Sequence, residues 1–290
     1  MTAVAVRSLP LPALALVVSA ALWGTTWFPF RVLEAGGVKG VWAVVLTEGL
    51  AMLLCVPAFR AALRGLRLAP ALVAIGLLGG ACNTGFVIGA ISGNVMRVTL
   101  LLYLAPLWTL LLARALLGER LDRTSIGVIV LALAGAAIML WPVAGGGFAS
   151  ADAWGLMAGI TYAGYNVMVR RHLELSLAHK TFASAAGCVV VALLAAALLG
   201  EPLPALPGQV QWLIVAILGA ALVAIVVLQQ YGLERMPAAR ASVIMASELV
   251  FATLSAWWLA GEVPGLREWI GGALVVTASA LAARATDGVG

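Results

Sequence analysis

Residues 107–119 read LWTLLLARALLGE, and residues 250–262 read VFATLSAWWLAGE. Both stretches are apolar, both end in Gly-Glu, and each precedes another apolar run. Nearer the start of each half of the chain, LWGTTWFPFR at 22–31 aligns with TYAGYNVMVR at 161–170. The chain therefore repeats a pattern of apolar segments after about half its length.

Long apolar runs surround these stretches. Hydrophobic residues make up 63% of the 290 and charged residues 10%, whereas a soluble domain carries about 25% charged residues. None of the runs alternates with period two, which excludes a β-barrel. A helix of about 20 residues crosses a bilayer, and runs of that length begin near residues 11, 41, 68, 95, 124, 152, 181, 210, 237 and 266. The sequence predicts an all-α integral membrane protein with ten transmembrane helices.

The ten predicted helices divide into two repeats of five, at 1–143 and 150–290. Because five is odd, the second repeat enters the membrane from the opposite side. Inverted repeats of this kind are common in secondary transporters, where they enclose a binding site near the middle of the membrane. We therefore expect two inverted five-helix repeats around a central cavity.

Basic residues set the expected orientation. With the N-terminus in the cytoplasm, 13 of the 17 Lys and Arg residues lie on the cytoplasmic side, and four lie outside: Arg31, Lys39, Arg97 and Arg267. Positive charge favours the cytoplasmic side. Both termini and the connections 60–67 and 170–180 are thus predicted to be cytoplasmic, and 144–150 external. We expect a multi-pass protein of a bacterial inner membrane, with the run at 11–30 retained as its first span.

Several other classes of function are disfavoured. The net charge of +5 comes from short basic clusters between apolar runs, which suits anionic lipid headgroups and not nucleic acid. Cys55, Cys82 and Cys188 lie inside apolar runs, and no Cys/His spacing predicts a metal site. Phosphate-loop and hydrolase motifs are missing from the sequence. We expect no cofactor, no metal and no catalytic residue, so an enzyme or a scaffold is disfavoured against a gradient-driven or facilitative transporter.

Two acidic residues, Glu48 and Glu248, fall near the middle of the second and ninth spans, with no Lys or Arg at that depth to pair with them. A charged carboxylate in hydrocarbon is expensive, so each must face the protein interior, a cavity or water. Glu248 shares a predicted helical face with Ala241, Met245, Ala252 and Ser255. Either carboxyl binds a substrate ammonium group or a proton, or it is a neutral group bonded to a neighbouring helix.

Aromatic and amide side chains form a second set of candidates. Tyr162, Tyr165 and Asn166 share one face of the sixth span. Rings with hydroxyl or amide neighbours can hold an apolar side chain and orient a polar head. The other candidates for substrate binding are Trp23 in the first span, Asn83 in the third, and Tyr103 and Pro106 in the fourth, where Thr99 lies on the same face. The alternatives are an interfacial aromatic belt and a structural kink.

Gln229 and Gln230 lie at the predicted cytoplasmic end of the eighth span, where they are a possible gate or ordinary bonds between helices. In the third span the glycines predict close helix packing through their small-x-x-x-small spacing; they are Gly76, Gly80, Gly85, Gly89 and Gly93.

Four short motifs, in order and at characteristic spacing, carry a resemblance over nearly the whole chain. They are LWGT at 22–25, APL at 105–107, LGE at 117–119 and AGE at 260–262. The chain resembles the drug/metabolite transporter superfamily, in its ten-helix EamA-type branch, and within it the YddG-type exporters of aromatic and other amino acids. Family members often have a proline after the glutamate of the ninth span, whereas Leu249 follows Glu248 here.

The resemblance implies a cavity surrounded by the first, third, fourth, sixth, eighth and ninth helices, with the second and seventh further out. It also implies a secondary transporter that exports a small organic solute by alternating access, most readily amino acids with aromatic or other apolar side chains. An exporter of cationic drugs or of another metabolite is the alternative. The expected partners are the solute and membrane lipids, and the chain is expected to be a monomer or a weak homo-oligomer.

Overall fold

In the computed structural model, the residues described are 10–38, 40–60, 64, 69–92, 98, 101–118, 123–139, 149–204, 207–261 and 263–284. Within them every regular element is an α-helix. The helices are α1 Leu11–Trp23, α2 Trp27–Ala35, α3 Gly40–Ala58, α4 Pro70–Ser92, α5 Ala105–Leu117, α6 Arg123–Met139, α7 Ser150–Arg171, α8 Leu177–Leu199, α9 Gln209–Glu234, α10 Ala238–Met245, α11 Glu248–Ala260 and α12 Leu266–Arg284.

Six segments of the described chain are long and apolar enough to cross a membrane. They are Leu11–Ala35, Gly40–Ala58, Pro70–Gly89, Leu177–Leu199, Gln209–Glu234 and Arg240–Leu259. Helix α7 has sufficient length, but its polar residues keep it outside this set. Shorter apolar helices make up much of the remainder. The all-helical prediction is confirmed, while the count of ten transmembrane helices stays a prediction.

Helix boundaries repeat between the two halves. Ser150 follows Leu11 by 139 positions, and Gln209 follows Pro70 by the same distance, so α7 and α9 begin in register with α1 and α4. Later in the repeat the offset is 143 positions, because α11 begins and ends 143 residues after α5. The C-caps repeat as well, since Gly118 has φ 68° and Gly261 has φ 70°. A positive φ of this size favours glycine at the end of a helix.

The first predicted span is broken at 24–26, between α1 and α2. The hydroxyl of Thr25 donates to the Leu22 carbonyl and that of Thr26 to the Trp23 carbonyl, both at 2.7 Å. Such local bonds compete with the backbone bonds of a continuous helix. At Gly24 a side chain would come within 2.8 Å of backbone atoms of α11, so this residue allows the break to lie directly on that helix.

The ninth predicted span is also broken, at Ala246 and Ser247, where the Ser247 hydroxyl donates to the Ile244 carbonyl at 2.7 Å. The predicted face around Glu248 therefore runs across this turn, and it stays a prediction. The members of that face that precede the break, Ala241 and Met245, are core residues of α10. Ser255, which follows it in α11, accepts from Trp27 Nε1 at 2.8 Å and donates to the Gly24 carbonyl at 2.9 Å.

Glycines let α4 approach two other helices closely. A Cβ on Gly76 would come within 2.6 Å of the Ala183 backbone oxygen in α8, and Gly80 faces Gly187 in the same helix. Further along α4, Gly85 and Gly89 face α7. The predicted packing role of these four glycines is confirmed, and Gly93 lies outside the described residues. Helix α4 therefore lies between α7 and α8, and it carries Cys82 and Asn83 into the interior.

Candidate functional site

Glu248 is the first residue of α11, immediately after the break in the ninth span. Its carboxyl lies within electrostatic range of the hydroxyls of Tyr103 and Tyr162 and of the Cys82 thiol. Among the described residues, no hydrogen-bond donor and no cation pairs with it. The side chain is only partly buried. Helices α4, α5, α7 and α11 thus place three polar side chains around one unpaired carboxyl.

Tyr162 belongs to a hydrogen-bonded chain that joins three helices. The Trp23 indole of α1 donates to Gln229 Oε1 of α9 at 3.1 Å, and Gln229 Nε2 donates to the Tyr162 hydroxyl of α7 at 3.2 Å. Gln229 is buried. The structure therefore joins two residues predicted to bind substrate, Trp23 and Tyr162, through a residue predicted to be a gate.

Tyr165 joins a second chain, through the next residue of α9. Gln230 Nε2 donates to the Tyr165 hydroxyl at 3.0 Å, and the Thr181 hydroxyl of α8 donates to Gln230 Oε1 at 3.0 Å. The Tyr165 ring also packs within 3.5 Å of the position that a Cβ on Gly79 would take. Buried on every side, Tyr165 links α4, α7, α8 and α9, whereas Tyr162 lies on the side of Glu248.

Asn166 is fully buried beside Tyr162, whose hydroxyl lies within reach of its amide, and among the described residues neither Oδ1 nor Nδ2 makes a hydrogen bond of good geometry. A buried amide without partners loses about 1–3 kcal/mol relative to a paired one. Most buried polar groups in folded proteins are bonded. Asn166 is therefore a group whose free energy would fall when a polar solute reaches it.

Tyr103 and Leu104 form a turn ahead of α5, and Pro106 lies in the first turn of that helix. This is the interruption that the sequence predicted for the fourth span. Tyr103 packs in one cluster with Ala246 and Leu249. The break before α5 therefore contacts the corresponding break before α11. Thr99, which the sequence placed beside Tyr103, lies outside the described residues.

Asn83 does not join the tyrosines by any hydrogen bond of the described residues. Its Nδ2 donates to Glu48 Oε1 of α3 at 3.0 Å and lies 3.8 Å from Cys188 Sγ of α8. Glu48 is only 3% exposed. Sequence reasoning missed this pair. A signal in the sequence could have suggested it, because Glu48 and Asn83 are polar residues near the middle of consecutive predicted spans.

A buried ion pair ties α8 to the end of α9. Lys180 is fully buried, and its Nζ donates to Glu234 Oε1 at 2.7 Å and to the Val169 carbonyl of α7 at 3.1 Å. Arg170 of α7 donates to the Glu234 carbonyl. Lys180 was assigned to a polar connection from the sequence, and its burial in the first turn of α8 was not predicted.

The connection between α7 and α8 is polar and partly exposed. His172 Nδ1 lies 2.7 Å from Glu174 Oε1, and this hydrogen bond lowers the pKa of Glu174. The Ser176 hydroxyl accepts from the His179 backbone N–H at 3.2 Å and caps α8. Leu173, Glu174 and Ser176 are exposed in this connection, which lies on the Lys180 side of the molecule.

A groove of about 210 Å³ lies elsewhere, between the α1–α2 break and α9. Its surface is almost entirely apolar, and it is lined by Leu22, Thr25, Thr26, Pro29, Ile214, Ile217, Leu218, Ala221 and Ile225. Ile217 is 63% exposed, so the groove opens outward. It contains none of the predicted substrate-binding residues, and it is not the predicted central cavity.

Interrupted helices that meet in the interior, together with buried polar groups inside apolar spans, are features of a helical membrane protein with a polar interior. The family model for the EamA-like transporter family matches the chain twice, over residues 11–141 and 149–284. The protein therefore belongs to the EamA-like transporter family of membrane transporters.

The fold itself is shared with a solved protein. A crystal structure described only as "Crystal structure of protein" is similar with a TM-score of 0.76 and 24% sequence identity, over 95% of this chain and 99% of the other. At this identity the likeness concerns the fold alone. No match is found among curated proteins.

Proposed function

We propose that this chain is a secondary transporter that exports amino acids with aromatic or other apolar side chains, and that Glu248 binds the solute's ammonium group. The observation that carries the proposal is the position of Glu248 at a helix break, without a donor or a cation among the described residues. A buried or half-buried carboxylate needs a counter-charge. A solute with an ammonium group supplies it.

The surroundings of Glu248 suit the rest of an amino acid. The rings of Tyr103 and Tyr162 offer apolar surface for a side chain, with their hydroxyls near Glu248, and Trp23 is joined to Tyr162 through Gln229. Asn166 has a free amide N–H group for a solute carboxylate. Sites of this kind are mostly apolar, with a few polar groups that fix the orientation of the ligand.

Alternating access is supported by the repeated helix boundaries and by the contact between the two equivalent breaks. We propose ten transmembrane helices in two inverted repeats, with the breaks near the middle of the membrane. Unwound segments at this depth are tolerated where they line a cavity. In this account, the Gln229 and Gln230 bonds close the cavity on the side of Lys180 and Glu234.

We place that side in the cytoplasm, with both termini, and the exposed residues of the connections test the orientation. In intact cells of a cysteine-free background, an impermeant thiol reagent should label a cysteine at Leu203 and spare one at Leu173. Both positions are more than half exposed. Labelling at Leu173 alone would reverse the proposed orientation.

A second candidate function is export of lipophilic organic cations. It is favoured by the acidic character of the site, since no described Lys or Arg pairs with Glu248 and a solute carboxylate would meet only neutral donors. An amine without a carboxylate needs fewer partners, and aromatic rings attract cations.

One flux experiment tests the function and separates the two candidates. Purified protein in liposomes is given labelled phenylalanine, phenethylamine and N-acetylphenylalanine. We expect phenylalanine to be transported and N-acetylphenylalanine, which lacks the ammonium group, to be excluded. Phenethylamine transported in preference to phenylalanine would favour the cation exporter. Equal transport of the N-acetyl compound would contradict ammonium recognition in both.

A further inference from the structure

We infer that Glu48 is the proton-binding site that couples solute export to a proton gradient, an inference that rests on the proposed transport function. Glu48 lies at the middle of α3, a continuous helix, and it is 3% exposed. It is separate from the solute site at Glu248, and no described cation neutralises it. A buried carboxyl of this kind takes a ligand no larger than a proton, because the surrounding helices leave it packed on all sides.

The hydrogen bond from Asn83 fixes one carboxyl oxygen. Asn83 Nδ2 donates to Oε1 at 3.0 Å, so this oxygen acts as an acceptor in either protonation state. The Cys188 thiol of α8 lies close enough to the carboxyl for a side-chain hydrogen bond. When Glu48 is protonated, the oxygen that does not accept from Asn83 carries the proton, and the group is neutral. When Glu48 is ionised, both neighbours donate to it.

The groups that face Glu48 are all uncharged. Helix α4 contributes Asn83 and α8 contributes Cys188, while Cys55 of α3 and the Tyr165 hydroxyl of α7 lie within electrostatic range. The contacts from the two remaining helices packed on α3 are apolar. Helix α9 presents Gly219 against the Thr47 carbonyl and Leu50, and α2 presents Phe30 to the cluster that contains Leu46 and Leu50.

Helix α4 connects the two carboxyls. Asn83 bonds to Glu48, and the preceding residue, Cys82, lies near Glu248. A displacement of α4 that accompanies solute release at Glu248 therefore also changes the bond to Glu48. In each cycle one proton from water adds to the Glu48 carboxylate on the outer side and leaves to water on the inner side, while one solute moves outward.

The test uses liposomes that contain a pH-sensitive dye, with phenylalanine as the solute. With one proton exchanged per solute, a gradient of one pH unit drives about tenfold accumulation. We expect this accumulation and the matching proton flux in the wild-type protein. Glu48→Gln should lose both and keep solute–solute exchange within about twofold, because exchange needs no net proton movement. Glu48→Asp retains a carboxyl and should restore the coupling. Thr47→Val is the matched control from the same helix, because the Thr47 hydroxyl bonds to the Ala43 carbonyl and not to Glu48.

Three outcomes separate the claims. Exchange in the wild-type protein without any proton flux would overturn the inference and leave the proposed transport intact. Proton-driven accumulation by Glu48→Gln at the wild-type level would also overturn it. Absence of exchange for every amino acid and amine tested would instead contradict the proposed function. If Glu48→Gln does not fold, the Asp variant decides, since unchanged coupling with an altered pH profile supports the inference and an unchanged profile refutes it.

Discussion

Glu48 and Glu248 are both acidic side chains inside apolar spans, but their surroundings differ. Glu48 lies in an unbroken helix, is almost fully buried and accepts a hydrogen bond from Asn83. Glu248 begins a helix after a break, is partly exposed and has no described donor. Close packing around Glu48 leaves its carboxyl almost without exposure, whereas Glu248, at the start of a helix, keeps part of its side chain exposed. The first environment suits a proton, and the second suits a molecule that carries a cation.

The largest effect is expected at a third acidic residue, Glu234. Glu234 pairs with the buried Lys180, whereas Glu48 and Glu248 pair with no described cation. Lys180→Met removes that cation and leaves Glu234 without its buried partner, so stability should fall by about 3–5 kcal/mol. The measurement is equilibrium unfolding in detergent. Arg235→Ala is the control, because Arg235 bonds to the exposed side of the same carboxylate and surface pairs contribute about 0.2–1 kcal/mol. Equal losses for the two variants would show that burial of Lys180 has no energetic consequence.

Next in size is the effect of Glu248→Gln on affinity. A hydrogen bond to a charged group contributes about 1.5–3 kcal/mol, so the apparent affinity for phenylalanine should fall about ten- to a hundredfold. Glu48→Gln should leave that affinity within about threefold of wild type, since Glu48 is not placed to touch the solute. Initial flux in liposomes over a range of phenylalanine concentrations measures both. The contrast between the carboxyls would disappear if both variants lost affinity equally.

Asn83→Ala tests how much the hydrogen bond between Asn83 and Glu48 contributes to stability. In this variant the buried Glu48 carboxyl loses its donor, so the free energy of unfolding should fall by about 1–3 kcal/mol. Replacing both partners, in Glu48→Leu with Asn83→Leu, should recover most of this loss, because two apolar groups leave nothing unpaired. Thermal unfolding in detergent compares the single and double variants. Additive losses in the double variant would mean that the bond between the two side chains contributes little.

The smallest expected effect concerns Tyr162, on the Glu248 side. Tyr162→Phe keeps the ring and removes the acceptor of the Gln229 bond, and a neutral hydrogen bond contributes about 0.5–1.5 kcal/mol. The apparent affinity for phenylalanine should fall about two- to tenfold. Trp258→Ala is the control, since this ring is 85% exposed on the outside of the helices. A larger loss for Trp258→Ala, at equal amounts of folded protein, would remove the case for a pocket at Tyr162.

The pattern of apolar runs was sufficient to predict an all-helical membrane protein, and the repeat predicted helices in register between the halves. Glycine spacing predicted that α4 approaches its neighbours closely, because a residue without a side chain lets the backbones of two packed helices come together. Tyr162, Tyr165 and Asn166 lie within one turn of α7, as the sequence predicted, and their common role in binding stays a prediction. Each of these predictions depends on residues within one segment, where periodicity is informative.

Contacts between helices were not predictable from the same pattern. A helix that is apolar all round gives no sign of its rotation. The sequence therefore showed that Glu48 and Asn83 lie near the middle of consecutive spans, but not that their side chains face each other. Successive residues in a helix point about 100° apart, and Gln229 and Gln230 accordingly bind different tyrosines. The break before Glu248 was missed because Ala246 and Ser247 are ordinary residues in a helix, and the packing of Gly24 on α11 involves residues more than 200 positions apart.

A density map of the protein with bound phenylalanine would show directly whether Glu248 binds the solute. We expect the solute's ammonium nitrogen about 3 Å from a Glu248 carboxylate oxygen, as in a charge-assisted hydrogen bond. Its ring would lie against Trp23, Tyr103 or Tyr162. Phenylalanine bound beside Glu48, or in the apolar groove between the α1–α2 break and α9 with Glu248 still unpaired, would contradict the account.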